Sequence, residues 1–108
     1  MNAVEYKKTL KDKNISVIGV GVSNVPLIRF LLEGGARVTA HDKKTIEKLG
    51  DTYTELSKLG VTFILGEDYL KDIPEDTEII FKTPGLRGDV PELVKAQKNG
   101  VEITSSAL

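Results

Sequence analysis

A glycine-rich segment between a predicted strand and a predicted helix is the first place where this sequence could bind a ligand. Residues 19–24 read GVGVSN, with glycines at Gly19 and Gly21. Glycines allow a sharp turn, and the N–H groups of such a turn point, with the N-terminus of the following helix, toward an anion such as pyrophosphate. The spacing predicts a phosphate-binding loop, with a plain tight turn as the alternative. Ser23 could donate to a ligand oxygen or cap the helix.

One carboxylate and two ammonium groups follow the second predicted strand. Asp42 lies about 20 residues beyond the glycines, a position from which a carboxylate accepts hydrogen bonds from a ribose or a base edge. Lys43 and Lys44 come next and suit a nucleotide phosphate, while a solvated Asp-Lys-Lys turn is the alternative. His41 precedes the carboxylate and is expected to point to the opposite side of the strand, so we assign it no chemistry.

A second glycine-containing loop opens with Thr83, Pro84 and Gly85 after the fourth predicted strand. In a sheet of order 3-2-1-4-5, this loop and the first one would face each other where the topology reverses, which is where ligands bind. Pro84 would stiffen the loop and Gly85 would admit a ligand close to the backbone; an ordinary strand-to-helix turn is the alternative. Asn24 stands where the dinucleotide fingerprint has its third glycine, which counts against a standard NAD site.

The elements that must position these loops alternate between strand and helix patterns. Short β-rich runs predict strands at residues 15–20, 37–41, 61–65, 78–82 and 101–104. Helical patterns lie at residues 25–32, 46–59 and 89–99, and residues 67–73 suffice only for a turn or two. Asp89 and Glu92 are expected to cap the last helix, which Gly100 would end. The alternation predicts a Rossmann-like, three-layer α/β/α domain with a five-stranded parallel sheet in the order 3-2-1-4-5.

Composition limits the classes of function. The 108 residues fit one compact domain, and a formal charge of -1 gives no overall attraction to nucleic acid or an anionic membrane. No apolar run approaches the roughly 20 residues that span a bilayer, and the charged N-terminus lacks a signal-peptide pattern, so we expect a cytoplasmic protein. The sequence has no cysteine and one histidine, so we assign no catalytic and no metal-binding residue.

The ordered landmarks resemble a known family. GVGVSN after the first predicted strand, HDKK after the second, KTPG after the fourth and GVEITS at the fifth are similar to the N-terminal domain of the UDP-N-acetylmuramoyl-L-alanine:D-glutamate ligases of peptidoglycan synthesis. The resemblance covers roughly residues 13–105. It implies a single domain that binds the UDP part of UDP-N-acetylmuramoyl-L-alanine, with the central ATPase domain and the C-terminal amino-acid domain of the same polypeptide outside this chain.

The resemblance also implies roles for individual residues. By position, Val22 and Ser23 would contact the pyrophosphate or the uridine. Asp42 and Lys43 would meet the uracil edge, and Lys44 would lie against the uracil or a neighbouring phosphate.

Gly85 would close the other side of this site, and three positions depart from the family pattern. Lys44 often has an arginine in its place, and lysine lacks the planar group that could stack on a base. Thr83 replaces the usual serine, and Asn24 replaces the usual glycine.

The ligase reaction implied by the resemblance needs more than this chain. ATP would phosphorylate the L-alanine carboxylate, and the amine of D-glutamate would attack the acyl phosphate. The sequence has no GxxxxGK[ST] motif, so we expect no cofactor here, ATP and Mg²⁺ in the other domains, and no ligase activity from this chain alone. The alternative is a non-catalytic module that senses NAD or adenine nucleotides. A dehydrogenase fragment has the least support, because His41 is the one candidate for proton transfer.

Overall fold

A single parallel sheet organises the chain. The computed structural model describes residues 5, 8–19, 24–71, 73–82 and 90–105. The sheet has the order β3-β2-β1-β4-β5, which confirms the predicted Rossmann-like α/β fold and its 3-2-1-4-5 topology. Each predicted strand overlaps an observed strand, with ends shifted by at most two residues. The strands are β1 (Asn14–Ile18), β2 (Arg37–Asp42), β3 (Thr62–Leu65), β4 (Ile79–Lys82) and β5 (Glu102–Ser105).

Four helices with described bounds accompany the strands: α1 (Asn24–Glu33), α2 (Ile46–Leu49), α3 (Asp51–Lys58) and α4 (Pro91–Lys98). The single helix predicted over residues 46–59 is wrong, because Gly50 separates α2 from α3. Its backbone has φ 55° and ψ -126°, a conformation that glycine adopts readily and other residues avoid. The predicted apolar stripe is also incomplete, since Ile46 is 49% exposed and Leu59 is 51% exposed.

Helix α4 begins differently from the prediction. Its N-cap is Val90, in extended conformation with φ -60° and ψ 138°, and not Asp89, which lies outside the described residues. Pro91 takes the first helical position, where its lack of an N–H group breaks no helical hydrogen bond. Gly100 follows the helix as predicted, and its N–H donates to the Gln97 carbonyl at 3.1 Å.

Alternation along the strands divides the core between the two faces of the sheet. Ile15 and Val17 of β1 belong to one cluster, which also contains Leu31 of α1. Ile18 and Leu93 belong to the other cluster, which packs between β1, β4 and α4. Because apolar side chains cover both faces, the open edges of the sheet and the strand ends are left for ligands.

The turn after α1 offers a matched pair of glycine substitutions. A Cβ on Gly35 (φ +89°) would lie 3.3 Å from the Lys11 Cα, whereas a Cβ on Gly60 (φ +98°) would meet no atom within 4 Å. A side chain in the left-handed conformation costs about 1 kcal/mol at either position. At Gly35 the contact of the new Cβ with the Lys11 backbone costs a further amount of up to about 1 kcal/mol. Urea denaturation should therefore show that Gly35→Ala lowers the free energy of unfolding more than Gly60→Ala does. Equal losses would mean that the backbone at Lys11 moves away at no cost.

Candidate functional site

The topology brings the starting points of the predicted ligand-binding segments to one edge of the sheet. Strand β1 lies between β2 and β4, and Ile18 is in register with both His41 and Lys82. Gly19 and Asp42 therefore lie at the carboxyl ends of neighbouring strands, and the Thr83 loop leaves from the strand on the other side of β1. This edge between β1 and β4 is where the strand order reverses, the usual ligand position in such sheets.

Several predicted site residues lie outside the described part of the chain, and their ligand contacts stay predictions. They are Gly21, Val22, Ser23, Thr83, Pro84 and Gly85. The described members of the predicted site are Gly19, Asp42, Lys43 and Lys44.

Gly19 is held by hydrogen bonds on both sides of its backbone. Its N–H donates to the His41 carbonyl of β2 at 2.6 Å. Its own carbonyl accepts a hydrogen bond from Nδ2 of Asn24, also at 2.6 Å, and Asn24 is 1% exposed. On sequence grounds Asn24 marks only a missing glycine, and this hydrogen bond was not predicted. An amide side chain at the first position of a helix, five residues after a glycine, was the available signal.

Asp42 has a structural partner in its own turn. Its Oδ1 accepts a hydrogen bond from the Lys44 N–H at 2.8 Å, and its backbone carbonyl accepts one from the Gly66 N–H at 3.0 Å. This is an Asx-type turn, in which the carboxylate is oriented by the backbone two residues later. Asp42 is 8% exposed, while Lys43 and Lys44 are exposed. Asp42 therefore orders its own turn, and a ligand contact would be additional to this role.

His41 is buried in a polar network that the sequence did not reveal. Its exposed fraction is 0%, Nδ1 lies 2.7 Å from the Tyr69 carbonyl, and Nε2 lies 3.2 Å from Oγ of Ser16. Because a carbonyl can only accept, Nδ1 carries the proton, and in the neutral ring Nε2 accepts from the Ser16 hydroxyl. Ser16 Oγ lies 3.4 Å from Thr77 Oγ1, which extends the network toward β4. His41 thereby fastens the turn at residues 66–71 onto β2.

Two surface hollows lie apart from the predicted residues. The first, of about 410 Å³, opens beyond the end of β2 and is lined by Thr45, Ile46, Glu47, Tyr53, Phe63, Leu65 and Gly66. Tyr53 and Phe63 form its aromatic wall, with ring centroids 4.8 Å apart. The second, of about 490 Å³, lies between residues 70–75 and α4. Neither is lined by Gly19 or by residues 42–44.

The first hollow carries a negative charge on its rim. Hydrogen bonds from its own backbone N–H, and then from the Thr45 side chain, hold the pKa of the Glu47 carboxyl below its usual range. Glu47 is therefore ionised at neutral pH. The stabilisation from these hydrogen bonds is present above the ordinary carboxyl pKa and is lost as the pH falls through the lowered value.

The described ranges show neither a metal-binding cluster nor a membrane-spanning helix. No group of three or more His, Cys, Asp or Glu side chains within them could hold a metal ion. No helix in the same ranges is both long enough and apolar enough to cross a membrane.

Residues 13–105 match the family described as Mur ligase MurD-like, N-terminal domain. The chain belongs to this family. The MurD-like domain is 50% identical over 101 residues to a UDP-N-acetylmuramoylalanine--D-glutamate ligase of Ruminiclostridium cellulolyticum, a match that covers 94% of this chain. It is also 50% identical over 104 residues to the ligase of the same name from Clostridium botulinum strain Hall, covering 96% of this chain. The chain spans 22% of the length of each relative.

Solved structures resemble the MurD-like domain in fold. The apo-structure of D-lactate dehydrogenase from Escherichia coli superposes with a TM-score of 0.63 at 24% identity, covering 90% of this chain and 29% of that one. Shikimate dehydrogenase from Aquifex aeolicus superposes with a TM-score of 0.59 at 18% identity, covering 95% of this chain and 47% of that one. At these identities the structural similarity is evidence for the Rossmann-like fold alone and carries no information about activity.

Proposed function

We propose that this MurD-like domain binds the UDP moiety of UDP-N-acetylmuramoyl-L-alanine, as part of a cytoplasmic ligase that adds D-glutamate during peptidoglycan synthesis. The relatives with half of their aligned residues identical carry the name of that ligase. The observation that carries the proposal is the carboxyl end of the sheet, where Gly19 follows β1, the strand preceding the Thr83 loop lies across the reversal of strand order on one side, and Asp42 ends β2 on the other side. A nucleotide diphosphate at this edge would meet backbone N–H groups on one side and polar side chains on the other.

Each part of UDP has a chemical counterpart at this edge. The N–H groups of residues 20–23 and the Ser23 hydroxyl would hold the pyrophosphate, because they are donors at the start of a helix. The Asp42 carboxylate would accept the N3–H of uracil, and Lys43 would meet the same edge. Lys44 would supply a positive charge near the uracil or the phosphate. Thr83, Pro84 and Gly85 would close the opposite wall.

The chemistry of the whole ligase would lie in other parts of the polypeptide. The chain spans 22% of the length of its relatives, and its sequence has no P-loop. ATP and Mg²⁺ would be held by a central domain and D-glutamate by a C-terminal domain. This domain would contribute substrate affinity and orientation and would not catalyse the ligation by itself.

Calorimetric titration of the chain with UDP, NAD and AMP side by side tests the proposal. We expect UDP to bind with Kd on the order of a millimolar, because part of the substrate site would come from other domains. We also expect UDP to shift the amide resonances of Gly21, Ser23, Asp42 and Gly85. A clear preference for NAD or AMP would instead support the nucleotide-sensing alternative and overturn the proposal.

A further inference from the structure

One side-chain hydrogen bond joins the two described residues that flank the glycine segment. Gly19 is the last described residue before the loop, and Asn24 is the first described residue after it. Nδ2 of Asn24 donates to the Gly19 carbonyl at 2.6 Å, and Asn24 is 1% exposed while Gly19 is partly buried. This hydrogen bond spans residues 20–23 and links the end of β1 directly to the start of α1.

The direction of the bond follows from chemistry. The Gly19 carbonyl can only accept, so the amide nitrogen of Asn24 must face it and Oδ1 must face elsewhere. Oδ1 is buried and meets no hydrogen-bond donor among the described residues. The N–H of Gly19 donates to the His41 carbonyl at 2.6 Å. Gly19 is therefore tied through its N–H to β2 and through its carbonyl to α1.

We infer that Asn24 is a positioning residue that preorganises the glycine loop for a diphosphate, an inference that rests on the function proposed above. A glycine-containing segment loses much conformational freedom when it becomes ordered around a ligand. A partly buried hydrogen bond between the two ends removes part of that freedom beforehand, which lowers the entropy lost on binding. A glycine at this position, as in the dinucleotide fingerprint, has no side chain with which to form the bond. Asn24 connects the end of β1 to the start of α1 by a side-chain hydrogen bond, whereas the fingerprint glycine only permits close packing of the helix on the strand.

Two substitutions separate the hydrogen bond from the space that the side chain fills. Asn24→Ala removes the donor and should raise the Kd for UDP about tenfold, which corresponds to about 1.4 kcal/mol. Asn24→Asp keeps the shape, but its ionised carboxylate has no donor and faces the Gly19 carbonyl, so UDP binding should weaken by a similar factor near neutral pH. Its protonated form can donate again, and the affinity of this variant should recover as the pH is lowered.

The pH series is read against Asn24→Ala at each pH, because UDP phosphate itself titrates. Recovery of the Asp variant relative to the Ala variant supports a hydrogen bond donated to Gly19. Parallel behaviour of the two variants overturns it. Gly35→Ala is the stability control, since it destabilises the fold at a turn away from the loop and should leave the Kd for UDP unchanged.

A measurement without UDP keeps this inference separate from the proposed function. NMR order parameters of the amides in residues 20–23 should fall in Asn24→Ala and stay at the parent value in Gly35→Ala. Unchanged order parameters in the Ala variant overturn the inference, even if UDP binds. If the parent chain binds no UDP, the proposed function fails, and the order parameters still decide whether Asn24 holds the loop.

Discussion

Replacing His41 with leucine is expected to lower the free energy of unfolding by about 2–6 kcal/mol, because the buried Ser16 hydroxyl and the partly buried Tyr69 carbonyl would each lose a hydrogen-bond partner at about 1–3 kcal/mol. The Tyr69 carbonyl would lose the Nδ1 donor at 2.7 Å, and the Ser16 hydroxyl would lose the Nε2 acceptor at 3.2 Å. Leucine fills much of the volume of the histidine side chain but has neither a hydrogen-bond donor nor an acceptor. Urea denaturation, followed by circular dichroism, measures the loss.

Thr39→Val is the matched control for this experiment. Thr39 lies two residues earlier on β2 and is half-buried, so its conversion to an apolar residue should change stability by less than about 0.5 kcal/mol. A double-mutant cycle with Ser16→Ala should return a coupling energy with His41 of at least about 0.5 kcal/mol. If the destabilisations of the two single variants simply add in the double variant, or if His41→Leu destabilises the fold no more than Thr39→Val does, the network adds little to stability.

The elements were predictable where local pattern and tertiary packing agree. The strands β1 and β4 are buried on both faces, so short, continuous, β-rich apolar runs predict them. The break at Gly50 was missed because Leu49 and Leu56 continue the same helical spacing across it. One glycine inside a helix costs only about 1 kcal/mol, so a continuous helix was a reasonable prediction.

The predicted start of α4 was wrong for a different reason. Asp89 and Glu92 have the spacing of a capping box, which predicts a cap at Asp89. Pro91, however, occupies the first helical position, which makes Val90 the cap. The fixed φ of proline and its lack of an N–H group outweighed the capping-box spacing.

At the candidate site, contacts between residues close in sequence are easier to predict than contacts between residues far apart in sequence. The placement of Gly19 and Asp42 at one edge follows from parallel topology, which the sequence indicated. His41 contacts Ser16 and Tyr69, which are 25 and 28 residues away, so only the folded sheet reveals its network. The Asn24 bond to Gly19 spans five residues and could have been proposed from the sequence alone.

Asp42→Ala is expected to weaken UDP binding by about 1–3 kcal/mol, or roughly 5–150-fold in Kd, if the carboxylate accepts the N3–H of uracil. The substitution also removes the bond from the Lys44 N–H to Oδ1, so it disturbs the turn as well as any ligand contact. Calorimetric titration with UDP, at a temperature where both proteins are folded, gives the change in Kd. An unchanged Kd would remove Asp42 from the site.

Asp42→Asn separates the two roles of the carboxylate. The asparagine oxygen can still accept from the Lys44 N–H and preserve the turn, whereas its NH₂ group replaces a carboxylate oxygen and cannot accept from uracil. If the base contact is real, UDP binding should weaken nearly as much in the Asn variant as in the Ala variant, and thermal stability should stay near that of the parent. If UDP binds the Asn variant as it binds the parent, the carboxylate serves the turn, and any loss in Asp42→Ala comes from the distorted backbone at Lys44.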